Sequence, residues 1–124
     1  MPYINDTDLD ALLNSIDTDA ETLYICSQEP TDYTEASATY ALGDKNSLVV
    51  NAPTNRSPNG RECVIPAITD GDVTATGTAT HWAICKDSAT ARLIATGALA
   101  ASQAVTSGNV FTLTQFTIGV PDAV

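Results

Sequence analysis

Basic residues are scarce in this sequence: Lys and Arg together number five against 15 Asp and Glu, giving a formal net charge of −10 and a pI near 4.1. A phosphate backbone is repelled by such a chain, and no basic cluster is dense enough to offset the repulsion, so direct nucleic-acid binding is not expected. Aromatic residues are also few, at 6% of the chain against 44% apolar overall. Ala and Val therefore carry much of the apolar share, and the core is expected to be thin. No apolar run approaches the ~20 residues that cross a bilayer, and the opening MPYINDTDLD lacks the basic and apolar regions of a secretory signal. The three cysteines, Cys26, Cys63 and Cys85, form neither a CxxC pair nor an even set, and each sits in a strand-like run such as LYICS or ECVIP. They read as free, buried thiols in a protein made and assembled in a reducing cytoplasm, with no membrane partner.

What the chain does have is acid at one end. Residues 1–35 hold nine of the 15 acids (Asp6, Asp8, Asp10, Asp17, Asp19, Glu21, Glu29, Asp32, Glu35) and no Lys or Arg. Such a segment is either a solvated face or a surface for a basic partner. Within it Leu9, Leu12, Leu13 and Ile16 follow the i, i+3, i+4, i+7 spacing of a helix over 6–17. Asn5 or Asp6 can cap that helix, and Asp8 and Asp10 are expected in its first turn, where free amides favour negative charge. About three turns cannot stand alone, so the apolar stripe must pack on a sheet or on another subunit. Residues 1–20 are thus expected as an acidic, amphipathic arm and 21–124 as one β-rich domain.

From Glu21 onward, short β-branched or aromatic runs alternate with turn signals. Strands are expected at Thr22–Ser27, Leu48–Asn51 and Arg61–Thr69, with Pro66 at an edge position because it cannot donate to a ladder. The stretch 31–47 is ambiguous between helical turn and strand, while 52–60, with two prolines and Asn59-Gly60, reads as an exposed loop or wide hairpin. Asp70-Gly71 is expected to turn the chain. Residues 73–86 and 91–99 read as paired strands with a tip near Asp87-Ser88. In the last run, 109–120, Phe111 and Leu113 share one parity while Phe116, Ile118 and Val120 share the other. A two-residue period cannot keep both sets on one core, so a bulge or a change of sheet is predicted near Thr114-Gln115. The fold class that results is mainly β, an antiparallel sandwich or barrel-like domain with one short N-terminal amphipathic helix.

Chemistry is hard to find. The single histidine, His81, lies in THWAI on the face opposite Trp82 and Ile84, so Trp82 is expected in the core and His81 exposed or at an interface. Cys85 shares the His81 face but lies about 13 Å along an extended strand, too far for a catalytic dyad. Asp6, Asp8, Asp10, Asn14 and Asp17 approximate the ligand spacing of a calcium loop, but Ala11 replaces the turn glycine and a short Asp17 replaces the bidentate Glu. The helix accounts for the leucines; a calcium loop does not. There is no glycine-rich phosphate loop, no GxSxG, no HExxH and no Cys/His cluster. No catalytic residue, cofactor or metal is therefore assigned. Lys45, Arg56 and Arg61 are the one local concentration of positive charge. The candidate docking contacts are Leu9, Leu12, Leu13 and Ile16 on the helix, with Arg56 and Arg61 at the loop.

The stretches TATGTATHWAI, LIATGALAASQAV and SGNVFTLTQFTIGVPD, within residues 59–122, resemble small virion structural proteins from the head and tail modules of tailed bacteriophages. The resemblance implies a decoration (cement) protein on the outside of a capsid, or another minor head or tail component. It implies the major capsid protein as partner, a homo-oligomer on the particle, and the virion as location. A receptor- or carbohydrate-binding module, suggested by the Thr-rich strands and lone Trp82, is the alternative from another class.

Overall fold

A computed structural model describes residues 5–57, 59–88 and 90–120. Met1–Ile4, Pro58 of the 52–60 loop and the closing residues 121–122 of the phage-like phrase lie outside them. The protein is mainly β, with every strand pairing antiparallel and one helix near the N-terminus. In chain order the elements are α1 (Asp6–Asp19), β1 (Thr22–Cys26), a π-helical turn (Glu35–Thr39), β2 (Ala41–Asn46), β3 (Thr54–Asn55) and β4 (Arg61–Ile65). They continue with β5 (Ile68–Val73), β6 (Gly77–Lys86), β7 (Arg92–Val105), β8 (Val110–Leu113) and β9 (Phe116–Val120). The chain divides into two compact units, each assembled from separate segments. Residues 21–124 are shared between them.

The smaller unit takes residues 5–19, 49–67 and 114–120 and contains the sheet β3-β4-β9. Its helix begins where Asn5 turns its side chain onto the Thr7 amide (2.8 Å), satisfying one of the donors a helix start leaves bare. Leu9 and Leu13 are then carried to one face and buried, and α1 packs on β4, whose Cys63 and Ile65 are fully buried. The chain passes from β3 into β4 through a hairpin closed by the Arg56 amide donating to the Gly60 carbonyl (3.0 Å).

The larger unit takes residues 20–48 and 68–113 and contains a six-stranded sheet in the order β7-β6-β1-β2-β5-β8. One face carries the apolar pairs Leu23·Ile84 and Ile25·Trp82. The opposite face carries Thr22·Cys85, Tyr24·Ala83 and Cys26·His81, and the segment leading through the π-helical turn lies against it. Ala36 is buried there with Cys26, Ala83 and Cys85, flanked by Tyr24, Tyr33, Tyr40 and Leu93. This sheet is therefore covered on both faces along β1 and β6, which is why TLYIC is buried at four of its five positions.

Three local expectations need correction. Leu48–Asn51 is not a strand: the strand comes earlier, at Ala41–Asn46, and Ser47 ends it by adopting a positive φ of 54°. The run 61–69 is not one strand but two, because Pro66 cannot donate to a ladder and the chain leaves one sheet there to enter the other. Asp70-Gly71 does not turn the chain but lies inside β5, where the Phe111 ring occupies the space a side chain at Gly71 would need. The predicted change of sheet at Thr114-Gln115 is found: β8 closes the large sheet and β9 belongs to the small one. Phe111 and Leu113 are buried in the first while Phe116, Ile118 and Val120 take the other parity in the second.

Candidate functional site

On α1 the apolar stripe is spent within the chain. Leu9 and Leu13 are 3% and 0% exposed, Ile16 is half-buried, and only Leu12, at 55%, stands open among the candidate docking leucines. Only Asp8, one turn earlier, is on Leu12's side of the helix; Asp6 and Asp17, about 120° and 140° around the axis from Leu12, also face solvent. Asp10 does not, because Arg61 on β4 grips its carboxylate with two guanidinium nitrogens, at 2.7 and 3.1 Å. The same guanidinium donates to the Asn55 side chain (2.6 Å) and the Pro53 carbonyl (3.3 Å). That forked geometry is what Arg provides and Lys cannot. The hydrogen bond to Asp10 raises the pKa of the Arg61 guanidinium, so the clamp stays charged. Arg56 is likewise engaged, donating to the Asn59 carbonyl (3.1 Å) with its side chain lying over Gly119. Both arginines thus hold their own unit together, and α1 leaves Asp6, Asp8, Asp17 and Leu12 exposed.

A second cluster, which the sequence did not disclose, gathers on Asp87 at the β6–β7 turn. Its carboxylate accepts the hydroxyl of Tyr24 (2.9 Å), the hydroxyl of Tyr33 (2.8 Å) and that of Thr22. Thr22 and Tyr24 come from β1, Tyr33 from the segment before the π-helical turn, so one acid ties three separate pieces of chain. Burial, and then the bond to Asp87, drives the Tyr24 phenol far above its ordinary pKa; at Tyr33 the bond to Asp87 leads. Both are donors held in the protonated form. Along the same row Tyr24 faces Asp44 and Asp44 faces Asp72 across the strands. Burial, with Asp72 and Asp87 nearby, raises the Asp44 carboxyl. No spacing in the sequence links residues 22, 24, 33 and 87; the one trace is polar alternation at Thr22 and Tyr24.

The remaining reactive groups are occupied. Burial pushes the Cys26 thiol up to about 11 and the Cys85 thiol up to about 12, which suppresses the nucleophilic thiolate at neutral pH. His81 lies directly opposite Cys26 rather than near Cys85. The Cys26 thiol nevertheless points to the Ala36 carbonyl (3.5 Å), and the imidazole Nδ1 lies 2.9 Å from the Thr80 hydroxyl. That hydroxyl gives its one proton to the Ser27 carbonyl (2.9 Å), so Nδ1–H is the donor between them. His81 is half-buried. Trp82 shares a face with Ile84 and Ile25 as expected, yet it too is only half-buried, its indole laid over Gly97 of β7. The calcium-loop spacing falls inside the continuous helix α1, and among the described residues no group of three metal-ligating side chains converges. Among these residues no helix is long and apolar enough to cross a membrane.

No family model, no curated protein and no solved structure matches this chain.

Proposed function

We infer that the chain is a non-enzymatic structural protein of a tailed-bacteriophage virion, a capsid decoration protein that binds the major capsid shell and stabilises it. The observation that carries this reading is the exposed surface of α1. Asp6, Asp8, Asp17 and Leu12 point outward from a helix that Arg61 fastens to β4 through Asp10. Acids exposed along the helix, with Asp8 one turn from the open Leu12, suit a basic, partly apolar patch on a larger assembly, and the rigidity of the clamped helix lowers the ordering cost of docking. The thiols held protonated and the engaged His81 fit a protein that contributes surface rather than a reacting centre. Binding that spans capsomer boundaries converts directly into resistance to rupture, since a ligand of the intact shell stabilises it by mass action.

The test is to add purified chain to emptied capsids and follow stoichiometry and rupture temperature. Saturation at a fixed ratio with a higher rupture temperature is expected, and Leu12→Ala should weaken binding while leaving the fold intact. Capsids that neither bind the chain nor gain stability end this reading; co-purification with tails would move the protein to the tail or neck. A sugar-binding module is the second reading, favoured by the half-exposed Trp82 over Gly97. It requires Trp82 fluorescence to respond to added sugars.

A further inference from the structure

Between Cys26, the last residue of β1, and Ala41, the first of β2, the chain leaves the six-stranded sheet and returns to it. The excursion is closed at its base, where the Ser27 amide donates to the Tyr40 carbonyl (3.0 Å). Inside, it is bonded to itself. The Ala36 amide donates to the Asp32 carbonyl (3.1 Å), and the Thr31 and Glu35 amides donate to the carboxylates of Glu35 and Asp32 (2.8 Å each). The Ser37 hydroxyl donates to the Tyr33 carbonyl (2.8 Å). Its hold on the sheet is slighter. Of residues 28–39 only Pro30 and Ala36 are buried, and the half-buried Tyr33 ring rests against the cluster of Cys26, Ala36, Ala83 and Cys85. The Tyr33 hydroxyl reaches across to Asp87 (2.8 Å), and the Ala36 carbonyl accepts the weak thiol donor of Cys26 (3.5 Å). A segment with a closed base, bonds of its own and little buried apolar surface belongs to the class that opens below the free energy of global unfolding.

We propose that residues 28–39 are a hinged strap that swings off the sheet as one piece about Ser27 and Tyr40, with the Tyr33–Asp87 bond as its latch, and lays Cys26 bare. The sheet itself has nothing to break in this motion, because β1 stays paired with β2 on one side and β6 on the other. The bonds internal to the strap travel with it. Opening therefore works mainly against the latch, the thiol bond and the shallow seat of Ala36, Pro30 and the Tyr33 ring. The Cys26 thiol reports the motion: burial holds it protonated while the strap is shut, and that cause is removed when the strap lifts. The proposal does not rest on the virion reading, because it concerns the purified chain alone.

The full chain is treated with N-ethylmaleimide, and labelling of Cys26 and of Cys63 is followed separately by peptide mass spectrometry. In the natural chain Cys26 should label slowly, at a rate that rises only shallowly with urea below the unfolding transition, since lifting the strap exposes little surface. Tyr33→Phe removes the latch hydroxyl and keeps the ring. It should speed the labelling of Cys26 by roughly tenfold and leave that of Cys63, which belongs to the other unit, unchanged. Glu35→Ala removes bonds that lie within the strap in both states, and should leave Cys26 near its natural rate. A urea dependence in the natural chain as steep as that of global unfolding overturns the proposal without recourse to any variant. So does a Tyr33→Phe chain in which Cys26 labels no faster or Cys63 is speeded equally, and so does a Glu35→Ala chain that matches Tyr33→Phe.

Discussion

The two sheets solve the same problem by different means. The six-stranded sheet is covered on both faces along its middle strands and closes off its edges with bulges, a short strand and a side-chain cap. The three-stranded sheet is held by one helix and one arginine clamp. A sheet of three strands is near the lower limit for independent stability, so its few contacts each carry more of the load than any single contact in the larger one.

Three substitutions sharpen that contrast. The largest effect belongs to Leu13→Ala, which empties a fully buried site between α1 and β4 and should cost about 2–5 kcal/mol. Hydrogen exchange checks where the loss falls: amides of β4 and β9 should lose protection while those of β1 and β6 keep most of theirs. Equal loss everywhere would mean the two sheets share one cooperative unit. Next is Asp87→Ala, which takes the acceptor from the Tyr24 and Tyr33 hydroxyls and leaves that of Thr22 only Asn46; it should cost about 1–3 kcal/mol, read by denaturant unfolding. Here the expected protection loss is at the 31–39 segment, which Tyr33 anchors.

The smallest effect concerns Asp44. Its folded carboxyl is raised above the ordinary 3.8 by burial and by Asp72 and Asp87. Between that ordinary value and the raised one, the folded state holds more protons than the unfolded state. Stability therefore falls as pH rises through the window, and the loss persists above it. Asp44→Asn should accordingly stabilise the protein at neutral pH, with the gain shrinking to nothing as the pH drops below about 4. A gain that is the same at both pH values would assign the effect to shape rather than charge.

Periodicity carried much of the fold. The leucine spacing located α1, and the parity switch between Phe111/Leu113 and Phe116/Ile118/Val120 located the change of sheet, because both report on a single strip of buried surface. Gly71 and Pro66 misled for a physical reason: each was weighed as a turn or edge residue by its own conformation. Their roles depend on the Phe111 ring and on a second sheet, and Phe111 lies 40 residues beyond Gly71, about 140 Å of extended chain. The ambiguous 31–47 stretch resolves into a π-helical turn and a strand only because Cys26, Ala83 and Cys85 offer Ala36 a place to be buried. Of the candidate contacts, the helix spacing placed Leu12 on the exposed side no better than Leu9 or Leu13. The Asp87 cluster, assembled from four positions, leaves in the sequence only the alternation of Thr22 and Tyr24, because Tyr33 and Asp87 join them through the fold alone.

The two crossings between sheets, at Pro66 and at Thr114-Gln115, set an order on biosynthesis. The strand that completes the small sheet is made after every other described strand, and it pairs with residues about half the chain earlier, Arg61 with Val120 and Ile65 with Phe116. While the chain is still emerging, β4 waits with Cys63 and Ile65 only partly shielded, and every strand of the large sheet is available before β9 exists. Closure of the small sheet is then a late step with a long loop to gather, slow by the measure of contact order.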